Sequence, residues 1–300
     1  MIKVSVILPV YNVEPYLEAT FESLLGQSLR DIEIIVVNDG STDGCAAIIG
    51  RYAAADPRIK CITQDNRGLS AARNRGMEDV SGEFVYFMDA DDVIEPDTLE
   101  LSYSRAVRDS ADICLFDAST MLEPEATPLS WNYCQTRLLE EGRLYDGAGL
   151  LNLMMDNHRY NSVVWLYLIR TSFLVSTGLR FYEGIIHEDQ LFTTALFLRT
   201  DSICCIKRTF VRHRVRGGSI MGRRFSRRNL DCYMTVMDEL RKLRPNATID
   251  RYIRFTLPLI FYTGHVLPLR EKLPVFWRAV KSGYVPAIGL RSLAVFWLKR

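Results

Sequence analysis

The first third of the chain alternates between two hydrophobic patterns. Four runs of strand length are rich in β-branched and aromatic residues: 3–10, 32–39, 59–65 and 83–89. Near-continuous apolarity of this kind suits strands covered on both faces of a sheet. Between them apolar residues recur at helical spacing, as in Glu14–Leu25. Alternating strands and helices predict βαβ units in a parallel, doubly wound α/β sheet.

Each of these four runs ends in a polar segment. The segments are PVYN (9–12), NDGSTDG (38–44), QDNRG (64–68) and DADD (89–92). Ligands of open α/β sheets bind beyond the carboxyl ends of the strands, which parallel strands place at one edge. One such segment alone is typical of a turn followed by a helix cap. Four at one edge predict a binding site.

The acids of the last segment indicate a metal-assisted site. Asp89 and Asp91 project to the same side if the strand continues. Two close carboxylates raise each other's pKa unless a cation lies between them. Such oxygen ligands suit Mg²⁺ or Mn²⁺, which takes its other ligands from phosphates and water. The alternative is that Asp91 and Asp92 cap a helix that begins near Asp97.

Four segments together resemble one family. In this order and spacing, residues 4–12, 34–44, 66–76 and 84–92 are similar to the signature of family 2 glycosyltransferases. The resemblance implies a GT-A (Rossmann-like) fold, with a mixed, mainly parallel sheet and a helical C-terminal extension. It also implies an inverting transferase that uses a nucleotide sugar. The expected organisation is a GT-A domain at 1–228 (donor half 1–115, acceptor half and mobile loop 116–228) and a helical region at 229–300.

The family's donor-site roles carry over to matching positions. The resemblance implies that the donor-binding set comprises Pro9, Tyr11, Asn12, Asp39, Asn66, Asp89 and Ala90. Asp39 would accept a hydrogen bond from the base, usually uracil, and an acceptor-only carboxylate suits the N3 hydrogen of that ring. Asp89 would face the ribose or the metal, and Asp91 would be the principal ligand of Mn²⁺ or Mg²⁺.

Arg73 is a candidate for binding the diphosphate of the donor. It follows Ser70 by three residues in a predicted helix, so the two face the same way. A guanidinium and a helix N-terminus directed at one point would bind a diphosphate without a P-loop. The alternative is a solvated surface arginine. No GxGxxG or GxxxxGK[ST] motif occurs near these strands, which disfavours dinucleotide-binding and P-loop proteins.

A second acidic pair is the candidate for the catalytic base. Glu188 and Asp189 precede an apolar helical pattern, and they resemble the later ED motif of the family, whose Asp carries the base. An inverting transfer needs such a base to take the proton of the attacking hydroxyl. The expected base is therefore Asp189, with Glu188 orienting it or holding the acceptor. The alternative is that these acids, with His187, only cap the helix.

A basic run follows that helix. Residues 207–228 contain nine Lys or Arg residues and no acid. Part of the run resembles the family's mobile loop, and positive charge there would stabilise the leaving diphosphate. Arg212, His213 and Arg216 are therefore donor-site candidates, and His213 could complete the metal shell. The alternatives are a solvated face or one drawn to anionic lipid.

The C-terminal region supports two interpretations. From Arg270 on it has seven Lys or Arg residues against Glu271 alone, among many aromatic and apolar residues. Short amphipathic helices of this kind fit a bilayer surface, which would suit a lipid-linked saccharide acceptor. A helical pack that completes the core or a dimer contact fits equally well.

Overall composition sets the remaining bounds. The chain has 300 residues, with 37 Lys or Arg against 36 Asp or Glu. Its net charge is therefore close to zero and does not favour binding to nucleic acid. Seven cysteines without a CxxC pair favour free thiols in a reducing cytoplasm. No apolar stretch reaches the ~20 residues of a membrane span. A nucleotidyltransferase, a catalytically silent donor-binding scaffold and a sugar-binding module remain as alternatives to the transferase.

Overall fold

The computed structural model describes residues 1–124, 126–129, 131–217, 225–243 and 246–299. Within these ranges one sheet contains eight strands. The strands are β1 (Val4–Val10), β2 (Ile32–Asp39), β3 (Ile59–Gln64), β4 (Phe84–Phe87), β5 (Val93–Ile94), β6 (Ile113–Leu122), β7 (Tyr167–Arg170) and β8 (Ile203–Val215). The helices are α1 (Glu14–Leu25), α2 (Cys45–Ala55), α3 (Leu69–Met77), α4 (Thr98–Arg108), α5 (Gly147–Asp156), α6 (Thr171–Thr177), α7 (Glu188–Phe197), α8 (Arg227–Arg241), α9 (Ala247–Thr263), α10 (Leu269–Lys281), α11 (Val285–Ile288) and α12 (Leu290–Leu298).

The sheet is mixed and mainly parallel. Its strand order is β3-β2-β1-β4-β7-β6-β8-β5. The first four strands are parallel to one another, β7 runs antiparallel between β4 and β6, β6 is parallel to β8, and β5 is antiparallel to β8. This confirms the predicted sheet. Because β6 runs through position 115/116, the sheet is continuous between the two halves proposed from the sequence.

Both faces of the sheet are covered, as the uninterrupted apolar runs predict. Every residue of β1 and of β2 is buried. Ile35 and Val37 of β2 pack against Ala72 of α3, whereas Ile34 and Val36 belong to the large core on the other face. Alternate residues of one strand therefore reach two different layers. The sequence predicts this three-layer arrangement because no polar face interrupts the strands.

The order of the strands fixes the position of the candidate site. β1 lies between β2 and β4, so the connection from β1 to β2 and the connection from β3 to β4 run in opposite directions along the sheet. Such a switch point opens a crevice in doubly wound sheets. Residues that follow β1 and β4, including Asn12 and Asp89, lie at this edge.

The C-terminal helices pack on the rest of the protein through one face each. α8 contacts α7, α9 contacts α5 and α8, and α12 contacts α9. Their inner side chains, such as Met237, Tyr252 and Phe296, join the main core. Within the described ranges, no helix is long and apolar enough to cross a membrane. The helical C-terminal region that the sequence predicts is confirmed, and its inner faces complete the core.

Candidate active site

Asp39, the expected base-binding residue, organises the loop that precedes α3. It is buried at the end of β2, where Oδ1 accepts hydrogen bonds from Gln64 Nε2 (2.7 Å) and from Arg67 N (2.9 Å). Oδ2 accepts from Gly68 N at 2.8 Å. A carboxylate has about four lone-pair positions. These three bonds therefore leave room for one further donor.

The adjacent turn brings Gly40 against Asn66. Gly40 has φ +71°, and a Cβ at this position would lie 2.7 Å from Asn66 N. No side chain fits so close to a backbone nitrogen, so glycine is required both by φ and by space. Asn66 itself is exposed beside this turn. The second and third polar segments therefore meet, as expected from parallel strands.

The three residues predicted from the first polar segment differ in exposure. Pro9 is buried within β1, in register with Val37. Tyr11 is exposed, and Asn12 adopts φ 49° with Oδ1 accepting from Thr42 N at 2.8 Å. The rim near the switch point is thus formed by Tyr11 and Asn12.

Arg73 connects the two acidic segments that the sequence places about a hundred residues apart. Its Nη2 donates to Asp89 Oδ1 at 3.0 Å. Its Nη1 donates to Glu188 Oε1 at 3.0 Å and to Asp189 Oδ1 at 2.7 Å. The guanidinium also lies over the ring of Phe181, 5.1 Å from its centroid. We call these four charged residues, Arg73, Asp89, Glu188 and Asp189, the arginine cluster.

This placement differs from the expected one. Arg73 is 1% exposed and is neither a solvated surface arginine nor open to a diphosphate. The physical reason is that three carboxylates surround one guanidinium, and a buried cation is stable only where it is paired. Burial alone would lower the pKa of Arg73, but the charges of Asp189, Asp89 and Glu188 hold it above its usual value.

The cluster retains excess negative charge. Burial and the charge of Asp189 raise the pKa of Glu188 to about 7, against the opposing effect of Arg73. Burial also raises the pKa of Asp189, again opposed by Arg73. The second oxygen of Asp189 accepts from Val164 N at 3.2 Å, which fixes the orientation of the carboxylate. Raised carboxyl pKa values in a partly open site are typical of catalytic acids and bases.

Asp91 and Asp92 lie beside this cluster, where Asp92 binds residues of β8 and Asp91 binds Arg216, directly after β8. Arg216 Nε donates to Asp91 Oδ2 at 2.7 Å. His213 Nδ1 lies 2.9 Å from Asp92 Oδ2, and Arg214 N donates to Asp92 Oδ1 at 2.8 Å. The acids therefore do not cap α4, which begins later at Thr98.

His213 is held in a defined orientation. Its ring stacks on Trp165 with centroids 4.8 Å apart and contacts the edge of Tyr133. Burial lowers the pKa of His213, but the charge and hydrogen bond of the buried Asp92 raise it above its usual value. With Nδ1 directed to a carboxylate, Nε2 is the ring nitrogen that remains for a ligand.

The side chains of two candidates do not contact the arginine cluster, Asp91 or Asp92. Arg212 is exposed, and its Nε lies 3.3 Å from Glu95 Oε1. Ala90 is buried, and its carbonyl accepts from Thr20 Oγ1 at 3.0 Å, so it supports the segment between the acids. Residues 218–224 of the expected mobile loop lie outside the part of the chain that the structure describes.

The acids fit a divalent cation through their chemistry. Burial and the charge of Asp89 raise the pKa of Asp91, in opposition to Arg216, so a cation between the two carboxylates would relieve their repulsion. Within the described residues, no group of three or more His, Cys, Asp or Glu side chains could hold a metal ion. A cation bound by Asp91 and Asp89 would therefore take its other ligands from phosphate or water, as Mg²⁺ commonly does.

Four residues that contact the site were not among the candidates predicted from the sequence: Tyr16, Asp92, Trp165 and Arg214. Asp92 was considered only as a helix cap. Arg214 and Arg216 both lie over the ring of Tyr16, 4.7 and 5.3 Å from its centroid. The run of three acids in DADD was a signal for Asp92, whereas no pattern in α1 marked Tyr16.

A wide depression lies next to the arginine cluster. It has a volume of about 640 Å³ and is lined by Asn74, Glu78 and residues 180–183. Phe181 belongs both to this lining and to the contact with Arg73. The acids of the cluster do not line the depression, so the two features are neighbours and not one cavity.

The mixed, mainly parallel sheet with flanking helices is of the GT-A type. The fold is similar to that of TarS residues 1–349 from S. aureus, solved with UDP-GlcNAc, with a TM-score of 0.74 and 23% identity over 98% of this chain and 83% of that one. It is also similar to the mannosyltransferase PcManGT of Pyrobaculum calidifontis, solved with GDP-Man and Mn²⁺, with a TM-score of 0.61 and 16% identity over 99% and 88% of the two chains.

Residues 5–141 match the family described as Glycosyl transferase family 2. One relative is the uncharacterized glycosyltransferase YibD of Escherichia coli (strain K12), 34% identical over 192 residues, which are 64% of this chain. The chain spans 55% of the length of that relative.

Proposed function

We propose that the protein transfers a sugar from a nucleoside-diphosphate sugar, a UDP-sugar, to a saccharide acceptor, with inversion at the anomeric carbon. The observation that carries this proposal is the bridge made by Arg73. It holds Asp89, from the donor segment, and Asp189, from the second acidic pair, on one guanidinium. A donor-binding acid and a candidate base are thereby fixed next to each other, as a displacement between two bound substrates requires.

The donor would bind at the switch-point edge. Asp39 has capacity for one more donor, which suits a uracil ring, and Tyr11 is exposed nearby to contact the nucleotide. Asp91 and Asp89 would hold Mn²⁺ or Mg²⁺. When bound, the cation would stabilise the negative charge of the departing diphosphate. The structures of similar fold that contain UDP-GlcNAc or GDP-Man with Mn²⁺ support this assignment.

Asp189 would act as the general base. The acceptor hydroxyl gives its proton to the Asp189 carboxylate as its oxygen attacks the anomeric carbon. The bond between that carbon and the diphosphate oxygen breaks, and the nucleoside diphosphate leaves. A single displacement of this kind inverts the anomeric centre. The raised pKa of Asp189 strengthens it as a proton acceptor, and Arg73 and Val164 N hold it in place.

The proposal extends to the acceptor and the location. We place the reaction in surface polysaccharide or oligosaccharide synthesis, with a saccharide or lipid-linked saccharide as acceptor, and at the inner face of the membrane. The relatives are glycosyltransferases, and the seven described cysteines are free thiols, which supports a cytoplasmic location.

A donor screen tests the proposed reaction. The protein is incubated with UDP-, GDP- and dTDP-sugars, and the release of nucleoside diphosphate is measured with Mn²⁺ and after chelation. We expect slow release of UDP from at least one UDP-sugar by transfer to water, lost with chelator and restored by Mn²⁺. Formation of UTP from UDP-sugar and pyrophosphate would instead identify a nucleotidyltransferase. No turnover of any sugar nucleotide in the presence of metal would contradict the proposal.

A further inference from the structure

Helix α10 exposes a row of apolar side chains over three turns. Leu269, Leu273, Trp277 and Val280 follow one another at intervals of four, four and three residues, so they share one face. They are 62, 44, 58 and 39% exposed. The opposite face, with Val275 and Ala279, is buried in the core. Single exposed apolar residues are ordinary, but a continuous row marks an interaction surface.

Helix α12 carries two further exposed leucines. Leu290 and Leu298 are 87 and 80% exposed. Phe276 of α10 contacts Trp297 of α12, with ring centroids 5.2 Å apart, so the two helices meet at these rings. Each of these two rings lies at the border between the buried and the exposed face of its helix. We define the α10–α12 surface as Leu269, Leu273, Trp277, Val280, Leu290 and Leu298.

The surface is bordered by positive charge. Arg270 and Lys281 lie at the two ends of α10, Arg291 is exposed in α12, and Lys299 is exposed directly after α12. None of these four cations has an ion pair among the described residues. Glu271 is the one acid in the sequence from 264 to 300. Apolar side chains and unpaired cations are therefore combined on neighbouring helices.

We propose that the α10–α12 surface docks on a lipid bilayer that contains anionic headgroups. The leucines and Trp277 would enter the boundary between headgroups and acyl chains, while the lysines and arginines bind phosphate groups at its surface. Each cation near such a surface adds attraction that decays within a Debye length. Since no helix in the described ranges can span a membrane, the helices lie on the bilayer.

Charge selects lipid over a second copy of the chain. A twofold contact places the same patch of each copy against the other. Here that contact would bring the cations of both copies together, and Glu271 alone would be available to pair with them. An anionic bilayer has the complementary charge. This docking surface goes beyond the transfer reaction and does not depend on it.

Vesicle sedimentation tests the proposal on the full chain. The protein is mixed with vesicles of phosphatidylcholine alone or with one-quarter phosphatidylglycerol, at low and high salt. We expect binding to the anionic vesicles that weakens with salt, and at least a tenfold weaker partition for the double variant L273E/W277E. The matched control is Val175→Glu, a substitution at an exposed apolar residue of α6, which should bind as the unchanged protein does.

Three results would overturn the proposal. The first is absence of vesicle binding by the unchanged protein. The second is equal loss of binding in Val175→Glu and in L273E/W277E. The third is a dimer, seen by analytical ultracentrifugation, that the double variant disrupts while its vesicle binding is unaffected, which would assign the surface to a second copy. Because the substituted side chains are exposed, thermal unfolding of the variants should match that of the unchanged protein and confirm that they fold.

Discussion

Replacing Asp189 by asparagine is expected to lower turnover by about 10²–10⁴-fold, the usual contribution of a general base. The amide is nearly the same size as the carboxylate and can still accept from Val164 N, so the position of the side chain is kept. Its oxygen cannot take a proton from the acceptor at neutral pH. The affinity for UDP should change by less than about threefold, because Asp189 is proposed to contact the acceptor and not UDP. This is well below the tenfold change that corresponds to about 1.4 kcal/mol. Turnover is measured with the donor identified by the screen, and affinity by calorimetry.

The matched control for this variant is Asp97→Asn. Asp97 is an exposed acid that pairs with Arg208, away from the arginine cluster. It should keep full turnover. Near-normal turnover in Asp189→Asn would mean that another group takes the proton. A loss of UDP binding equal to the loss of turnover would instead assign Asp189 to the donor site.

Replacing Arg73 by methionine is expected to reduce the free energy of unfolding by about 3–5 kcal/mol, the usual cost of removing one partner from a buried ion pair. Methionine fills part of the volume but leaves Asp89, Glu188 and Asp189 without their shared cation. The three carboxylates would then repel one another in a site that is largely closed to water. Urea denaturation measures the change through the midpoint at constant slope.

Two variants keep this prediction testable. Arg208→Met removes an exposed ion pair with Asp97 and should cost no more than about 1 kcal/mol. Arg73→Lys retains a charge but loses the planar fork that reaches three acids, so its stability should lie between those of the unchanged protein and Arg73→Met. If Arg73→Met were as stable as Arg208→Met, the cluster would not be held together by this guanidinium.

Elements with a strong local pattern were predicted well from the sequence. The predicted helix Glu14–Leu25 and strand at 32–39 agree with α1 and β2. The predicted helix that contains Ser70 and Arg73 is α3 (Leu69–Met77). The spacing of apolar residues predicts such elements, because it shows which face of the helix or strand is buried.

Long-range partners could not be predicted in the same way. The bond of Arg73 with Asp189 joins residues 116 positions apart, and that of Asp92 with His213 joins residues 121 positions apart. Helical spacing placed Arg73 on the same side as Ser70. It could not predict the contact with α7, because that helix comes close to Arg73 only in the folded chain. The resemblance identified Asp89, Asp91 and Asp189 as candidates. It could not show that a buried arginine would hold Asp89 and Asp189 together.

The most direct test of the central claim is the binding of UDP with and without Mn²⁺, measured by titration calorimetry for the unchanged protein and for Asp91→Ala. If Asp91 and Asp89 hold a cation that bridges to the diphosphate, Mn²⁺ should tighten UDP binding at least tenfold, and Asp91→Ala should abolish that gain. Equal affinity for UDP with and without metal, or an undiminished effect of Mn²⁺ in Asp91→Ala, would contradict the account.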